Sequence, residues 1–271
     1  MPILDRDGSK IWQHRTSRQQ WLAWFGWLLL VTLFVFCWRL MNENTLWIFV
    51  QDAPQQVMDI TDRMTPPRWG YMERLWKPLW DTLNIATLGT LLGIVMAVPV
   101  AFMAARNTTP SERYLRPLAI LVIVSSRSIN SLIWALLLVS ILGPGLLAGI
   151  IAIALRSIGF IGKLLYEAIE EIDHSQVEAV LATGATGSQV LDYAIVPQIM
   201  PAFAGISVFR WDINIRESTV LGLVGAGGIG LELSHSLNTL AWPQVSLIFI
   251  VILGTVVVSE WVSARVRHAI I

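Results

Sequence analysis

Ser175-Gln176-Val177-Glu178-Ala179-Val180-Leu181-Ala182-Thr183-Gly184-Ala185-Thr186-Gly187-Ser188-Gln189, continued by Val190-Leu191-Asp192-Tyr193-Ala194-Ile195-Val196-Pro197-Gln198-Ile199-Met200-Pro201, is the longest stretch after the N-terminal third that does not read as a membrane span. Ser175 and Glu178, three residues apart, form a capping-box pattern that predicts a short helix from Gln176. Gly184 is placed to end that helix in a left-handed conformation. Thr186 and Gln189 repeat the pattern and open a second short helix. Pro197 and Pro201 are expected to interrupt it, because proline has no amide hydrogen and crowds the preceding turn. Two short helices around a glycine hinge, set between apolar spans, predict a compact knob at a membrane surface.

The rest of the chain supplies that membrane. Of 271 residues, 55% are hydrophobic and 14% charged, against roughly 25% charged in soluble domains. Apolar runs of about 20 residues recur, the length a helix needs to cross a bilayer. The formal net charge is zero, so nothing draws the whole chain to nucleic acid. The single cysteine, Cys37, lies in an apolar run and leaves no disulfide framework. His14, His174, His235 and His268 are scattered without metal-ligand spacing, so no metal site is expected. About 20 polar residues precede the first apolar run, which argues against a cleavable signal.

Taken in order, residues 1–20 read as a polar tail with Arg6, Lys10, Arg15 and Arg18. The first span covers about Trp21–Leu40, with Trp21, Trp24 and Trp27 at one interface and Trp38 at the other. Residues 41–78 form a connecting segment, broken at Pro66-Pro67 and partly amphipathic, that lies on the membrane surface. The second span is about Trp80–Ala104. Gly89 and Gly93 give it a face that another helix can approach closely, and Pro99 is expected to kink it. The third span, Pro117–Leu142, is interrupted by the polar run Ser125–Ser131. The fourth runs from Leu146 to about Leu165, the fifth from Pro201 to about Leu221, and the sixth from Trp242 to Ser263. The expected organisation is therefore a tail (1–20), a first span with an outer loop (21–78) and a transmembrane core (79–271) whose inner loop is 167–200.

Basic residues orient these spans. With the N-terminus inside, segments 1–20, 105–116, 163–200 and 264–271 carry four, three, one and two Lys or Arg residues. The outer segments carry four, all in 41–78, which fits the positive-inside rule. Both termini and the Ser175–Pro197 knob are then expected in the cytoplasm.

Charges at bilayer depth cost about 2.5–3.5 kcal/mol each on insertion scales and usually face a cavity or a partner. The candidates are Arg127 and Asn130, Arg156, and then Arg210, Asp212, Asn214, Arg216 and Glu217. Helical spacing predicts that Arg127, Asn130 and Ser131 share one face and that Arg210, Asn214 and Glu217 share another. Asp212 and Arg216, four residues apart, are expected to pair within their helix and to lock helices together. Four arginines against two carboxylates leave a cationic excess, so Arg127 and Arg210 are candidates to line a path for an anion.

Gly225-Ala226-Gly227-Gly228-Ile229-Gly230 matches the dinucleotide fingerprint as a string only. That motif needs a preceding strand and a βαβ setting, whereas this one follows a membrane span. It reads as a flexible or close-packed break. No Walker A sequence occurs, so the chain has no P-loop of its own.

Glu178-Ala179, Gly184 and Pro197 resemble the "EAA" loop of permease subunits in bacterial ABC importers, with the glycine six residues after the glutamate. Val180 stands at the third motif position, and Ala194 and Val196 at the usual Ile and Leu positions. Further stretches are similar to the phosphonate and phosphite branch of these permeases. They are Arg127-Ser128-Ile129-Asn130, Ile133-Trp134-Ala135-Leu136-Leu137, Glu167–Ile172, and Arg210-Trp211-Asp212-Ile213-Asn214-Ile215-Arg216 followed by Thr219–Gly230. The resemblance covers about Asp81 to the C-terminus. Glu217 departs from it, standing where that branch usually has a small neutral residue; such a carboxylate either alters the choice of substrate or pairs with Arg216 or Arg210.

The resemblance implies an all-α polytopic membrane protein of about six transmembrane helices, similar to type I ABC importer permeases, with a cytoplasmic coupling loop. It implies a non-catalytic subunit of an importer for phosphonate- or phosphite-type anions in the bacterial inner membrane. Two copies would form the path, with two ATP-binding subunits that hold ATP and Mg, and a substrate-binding protein outside. The coupling residues would be Glu178, Ala179, Gly184 and Pro197. The path residues would be Arg127, Asn130, Ser131, Arg210 and Asn214. A gate or break would lie at Gly222, Gly225, Gly227, Gly228 and Gly230. Two alternatives stand beside this reading. One is a permease of the same architecture for another solute, such as phosphate, an amino acid or a metal chelate. The other is an intramembrane phosphatase built on Ser125, Ser126 and Ser128 near Arg127.

Overall fold

A computed structural model describes residues 3–6, 9–12 and 17–270. His14 and Arg15 lie outside the described residues. The expected polar tail contains a short antiparallel hairpin, β1 (Ile3–Arg6) and β2 (Ser9–Trp12), with Ile3 opposite Trp12. All other regular structure among the described residues is helical. The chain divides into two compact units, Met1–Asp59 and Ile60–Ile271.

In the first unit, α1 (Ser17–Asn44) is one uninterrupted helix. At 1.5 Å per residue its 28 residues exceed the roughly 30 Å hydrocarbon core. Its tryptophans are exposed on this chain, as a lipid-facing helix requires. α2 (Trp47–Met64) begins in this unit, has an apolar and a polar side, and buries none of its residues.

The second unit is a helical bundle. α3 (Met72–Ala104) starts earlier than the sequence suggested and runs on through both Pro78 and Pro99. The unit reaches back beyond α3 because Tyr71 and Leu75 are buried with Leu233, Val245, Leu247 and Ile248. α3 packs most extensively against α6 (Leu146–Glu170). The reason is the small face noted in the sequence. A Cβ at Gly89 would lie 2.7 Å from Ile153 Cγ2, and one at Gly93 2.6 Å from Ser157 Cβ. No larger residue fits this crossing without moving a helix.

The third span is interrupted inside the polar run Ser125–Ser131, as expected, and the break is sharp. It is two helices, α4 (Leu115–Ser128) and α5 (Ser131–Leu142), meeting at 88°. Ile129 and Asn130 are extended, and Asn130 Oδ1 accepts the amide of Leu132 at 3.1 Å. The asparagine side chain replaces a helical acceptor and starts a new helix, as N-cap residues do. Arg127 therefore ends one helix while Asn130 and Ser131 open the next, and the predicted common face does not exist.

The prolines of the knob region also act differently. α8 (Gly187–Val190) passes into one π turn, Leu191–Ile195, and then α9 (Val196–Leu221). Val196 N–H reaches back to Leu191 O, and Pro197 falls in the first turn of α9, where its missing amide costs least. Pro201 is carried inside α9. The wider turn lets the helix continue where a break was expected. α10 (Ile229–Asn238), not foreseen, follows the glycine segment, and α11 (Trp242–Ile270) closes the bundle. Among the described residues, five helical stretches are long and apolar enough to span a membrane, six if α4 and α5 count as one broken span.

Candidate functional site

The candidate residues fall in four places. The first is the knob. α7 (His174–Ala182) is capped by Asp173, not Ser175. The Asp173 carboxylate accepts the Ser175 amide at 2.9 Å and the Ser175 hydroxyl at 2.6 Å. The Ser-x-x-Glu pattern favours Ser175, but the Asp-x-Ser turn immediately before it competes and wins. Those two bonds, the hydroxyl first and then the amide, hold the Asp173 carboxyl below the usual carboxylate range.

α7 ends as foreseen. Gly184 has φ +82, and its amide donates to Leu181 O at 3.0 Å. Thr186 and Gln189 form the expected capping box. Glu178, Ala179 and Gly184 are exposed, as are the large side chains of Leu181 and Tyr193. The knob therefore presents both apolar and acidic surface to the exterior of the chain.

The base of the knob is fixed. Ile172 is buried with Ala101, Ala105, Leu165, Ile169, Ile195 and Ile199, and Val177 packs on them. Gln198, one residue past Pro197, clamps the knob to α9. Its Oε1 accepts the Asp173 amide at 2.9 Å, and its Nε2 donates to Ala194 O at 2.8 Å. No local pattern announces this clamp, because the partners of Gln198 are backbone groups 25 residues away or inside the π turn. Nearby, Glu170 Oε1 accepts the Arg106 amide at 2.9 Å and faces Arg116 Nη2 at 3.5 Å, tying α6 to the loop after α3.

The second place lies inside the bundle, where α3, α6 and α9 meet. Arg210 is only 2% exposed. Its Nε donates to Ser157 Oγ at 3.1 Å, its Nη2 lies 3.4 Å from Glu217 Oε2, and its guanidinium sits 5.2 Å over the Phe160 ring. Asn214 Nδ2 donates to Thr90 Oγ1 at 2.7 Å and Ser157 Oγ at 3.1 Å. Asn214 Oδ1 is buried and has no hydrogen-bond partner among the described residues. Glu217 Oε1 lies 3.5 Å from Arg156 Nε. Arg210, Asn214 and Glu217 thus share a face as expected, and Glu217 pairs with Arg210 and Arg156 rather than with Arg216.

Arg216 pairs with Asp212, whose other oxygen accepts Ser259 Oγ at 2.8 Å. That pair ties α9 to α11, which is the structural role expected of it. Ser157 and Thr90 were not singled out in the sequence. The signal for Ser157 was available: Arg156-Ser157 is a polar dipeptide in the middle of an apolar helix.

Arg127 is exposed and stacks its stem on α6, where a Cβ at Gly159 would lie 2.6 Å from Arg127 Cγ. Beside it Ser126 Oγ accepts the Gly159 amide at 2.9 Å and donates to Leu155 O. Ser131 is buried at the start of α5. Arg127 therefore meets α6 at Gly159, while Arg210 and Asn214 meet it at Ser157.

The glycine segment is close-packed. Gly225, Gly227 and Gly228 have φ between +74 and +92. A Cβ at Gly222 would lie 2.5 Å from Gly227 O and 2.6 Å from Gly230 Cα, and one at Gly230 would strike Thr219 O. Thr82 of α3 accepts the Ile229 amide at 2.8 Å and starts α10, and Gly225 O accepts the Gly145 amide at 3.0 Å. The segment is entered from α9 through a short helical turn, Gly222–Val224, and not from a strand, which is not the βαβ setting a dinucleotide fingerprint needs.

The chain is similar to known proteins in sequence and in fold. Residues 60–268 match the family described as binding-protein-dependent transport system inner membrane component. The chain is 40% identical over 234 residues to the phosphite transport system permease protein PtxC of Stutzerimonas stutzeri, covering 85% of this chain and 83% of that one. It is 40% identical over 220 residues to the phosphate-import permease protein PhnE of Mycolicibacterium smegmatis, covering 81% of this chain but 41% of that protein. In fold it is similar to a chain of the inward-facing MetNI methionine ABC transporter. There the TM-score is 0.65 at 21% identity, over 75% of this chain and 99% of that one. It is also similar, with a TM-score of 0.56 at 18% identity, to a chain of a bacterial ABC transporter importing alginate, over 92% of this chain and 99% of that one. The chain belongs to the family of binding-protein-dependent transport system inner membrane components, and its fold is that of type I ABC importer permeases.

Proposed function

We propose that this permease carries phosphorus oxyanions of the phosphite and phosphonate type into the cell, as a homodimer with two ATP-binding subunits inside and a substrate-binding protein outside. The observation that supports it best is the run of α9. This one helix starts at the knob, where Gln198 holds Asp173, and carries Arg210, Asn214 and Glu217 at bilayer depth. A motor that shifts the knob shifts the arginines with it.

In this reading the N- and C-termini and the knob face the cytoplasm. Glu178, Ala179, Gly184 and Pro197 meet the ATP-binding subunit, which supplies all nucleotide chemistry. Nucleotide-driven closure pulls the knobs, and the path changes the side it opens to. Arg127, Asn130 and Ser131 at the α4–α5 corner, with Arg210 and Asn214, set a positive potential along the path. The packed turn at Gly222, Gly225, Gly227, Gly228 and Gly230 closes its outer end. Cargo is held weakly, because a deep well inside the path would trap it; selectivity rests mainly with the binding protein. The identity to a phosphite permease favours the phosphorus oxyanion over an amino acid.

The test is uptake of radiolabelled phosphite by cells whose only route is this transporter, with Gly184→Trp as the coupling control. Uptake in the wild type and its loss in Gly184→Trp, with the ATP-binding subunits dissociated, is the expected result. Unchanged uptake and association in Gly184→Trp would remove the knob from the coupling role. Absence of wild-type uptake would remove the cargo.

A further inference from the structure

Glu217 bridges two arginines. One carboxylate oxygen lies 3.5 Å from Arg156 Nε and the other 3.4 Å from Arg210 Nη2. Both distances exceed the roughly 2.7–2.9 Å of a strong charge-assisted bond. The carboxylate is shared between two guanidinium groups and forks tightly to neither. The side chains differ in access: Arg210 is 2% exposed, Glu217 18% and Arg156 30%. The pair Arg156–Glu217 thus stands at the edge of the bundle, with Arg210 behind it. Beside Arg210, Ser157 holds both its Nε and Asn214 Nδ2, while Asn214 Oδ1 is left without a partner. Two cations and one anion leave the cluster with one net positive charge.

We infer that Glu217 is a tethered counter-ion that occupies the place of the cargo between Arg156 and Arg210, so that the permease binds its oxyanion by exchanging it for this carboxylate. The inference rests on the oxyanion reading above and names the site and the residue that sets its strength. A carboxylate offers two oxygens on one central atom, as does a phosphonyl or phosphoryl group, so each can span the same two guanidinium groups. The buried guanidinium of Arg210 is never left without an anion during the exchange, which avoids the cost of an unpaired buried charge. A cargo that must displace a built-in competitor is held weakly and leaves readily.

The experiment measures phosphite binding to the purified, assembled transporter without its binding protein, for wild type, Glu217→Gln, Glu217→Ser and Glu217→Asp. Removing the competitor and one negative charge should tighten phosphite binding by at least about tenfold in Glu217→Gln and Glu217→Ser, and slow uptake per ATP. Glu217→Asp keeps the charge and should stay weak. Equal affinity in all four overturns the inference, and so does failure of every neutral variant to assemble, which would make Glu217 a purely structural ion pair. Wild-type phosphite uptake is run alongside. Its absence sinks the cargo reading, whereas normal uptake with unaltered affinity in the variants sinks only the exchange.

Discussion

Gln198 accepts the backbone amide of Asp173 at 2.9 Å, joining the entrance of the knob to the first turns of α9. The joint is short, directional and made of one side chain. Gln198→Leu keeps the volume and removes both the acceptor for Asp173 and the donor to Ala194. The complex should still assemble, because Ile172, Ile195 and Ile199 hold the base of the knob. Transport per ATP hydrolysed should fall severalfold in reconstituted vesicles, since a net hydrogen bond of about 1 kcal/mol is lost at a moving joint. An unchanged ratio would show that the buried apolar contacts alone carry the motion.

Asp173 gives a pH signature. Its carboxyl is depressed by bonds from the Ser175 hydroxyl and amide. A depressed folded value means the cap stabilises α7 fully above the ordinary aspartate range, near pH 4, and the stabilisation is lost as pH falls through the lower folded value. Protection of the α7 amides, taken relative to their intrinsic exchange at each pH, should therefore fall below about pH 4 in the wild type. In Asp173→Ala it should already be low at neutral pH. Equal protection in both proteins at neutral pH would deny the cap.

Arg127 and Arg210 should respond differently to truncation. Arg127 is exposed, so Arg127→Ala should leave the assembled complex intact and lower anion uptake. Arg210 is buried against Glu217, Ser157 and Phe160. Breaking a buried pair on one side costs about 3–5 kcal/mol, so Arg210→Ala should lower the melting temperature and the yield as well as uptake. Sequence alone gave both arginines the same role. A stable Arg210→Ala complex would mean the site is wetter than its burial implies.

Gly230 and Gly222 cross backbone to backbone. An added methyl at Gly230 strikes Thr219 O, and at Gly222 it lies 2.6 Å from Gly230 Cα. Neither obstacle is a flexible side chain, so alanine at either position should cost more than the about 1–3 kcal/mol of ordinary overpacking. Gly205→Ala meets open space within 4 Å and serves as the control. Thermal unfolding of the purified chain in detergent separates them. Equal melting temperatures would show that the glycine segment yields, as a moving gate would.

The spans were legible because a bilayer demands about 20 apolar residues in a row, and a run of that length declares itself. The knob was legible because Gly184 and the Thr186–Gln189 box act within a few residues. Asn130 was misread for the opposite reason. The polar run announces a break, but not that the Asn130 side chain caps a new helix set at 88° to the one before it, which parts Arg127 from Asn130 and Ser131. The π turn before Pro197 was missed likewise, since a single wider turn leaves no periodic trace in the residues.

The sequence by itself determined a multi-span helical permease with a capped elbow, because bilayer length, glycine handedness and capping are local rules that residues obey wherever they stand. Only the tertiary structure decided which polar groups meet. Ser157, Thr90 and Arg156 come to Arg210, Asn214 and Glu217 because Gly93 lets α3 close on α6. Such pairing depends on the rotation and approach of whole helices, which no short window of residues encodes.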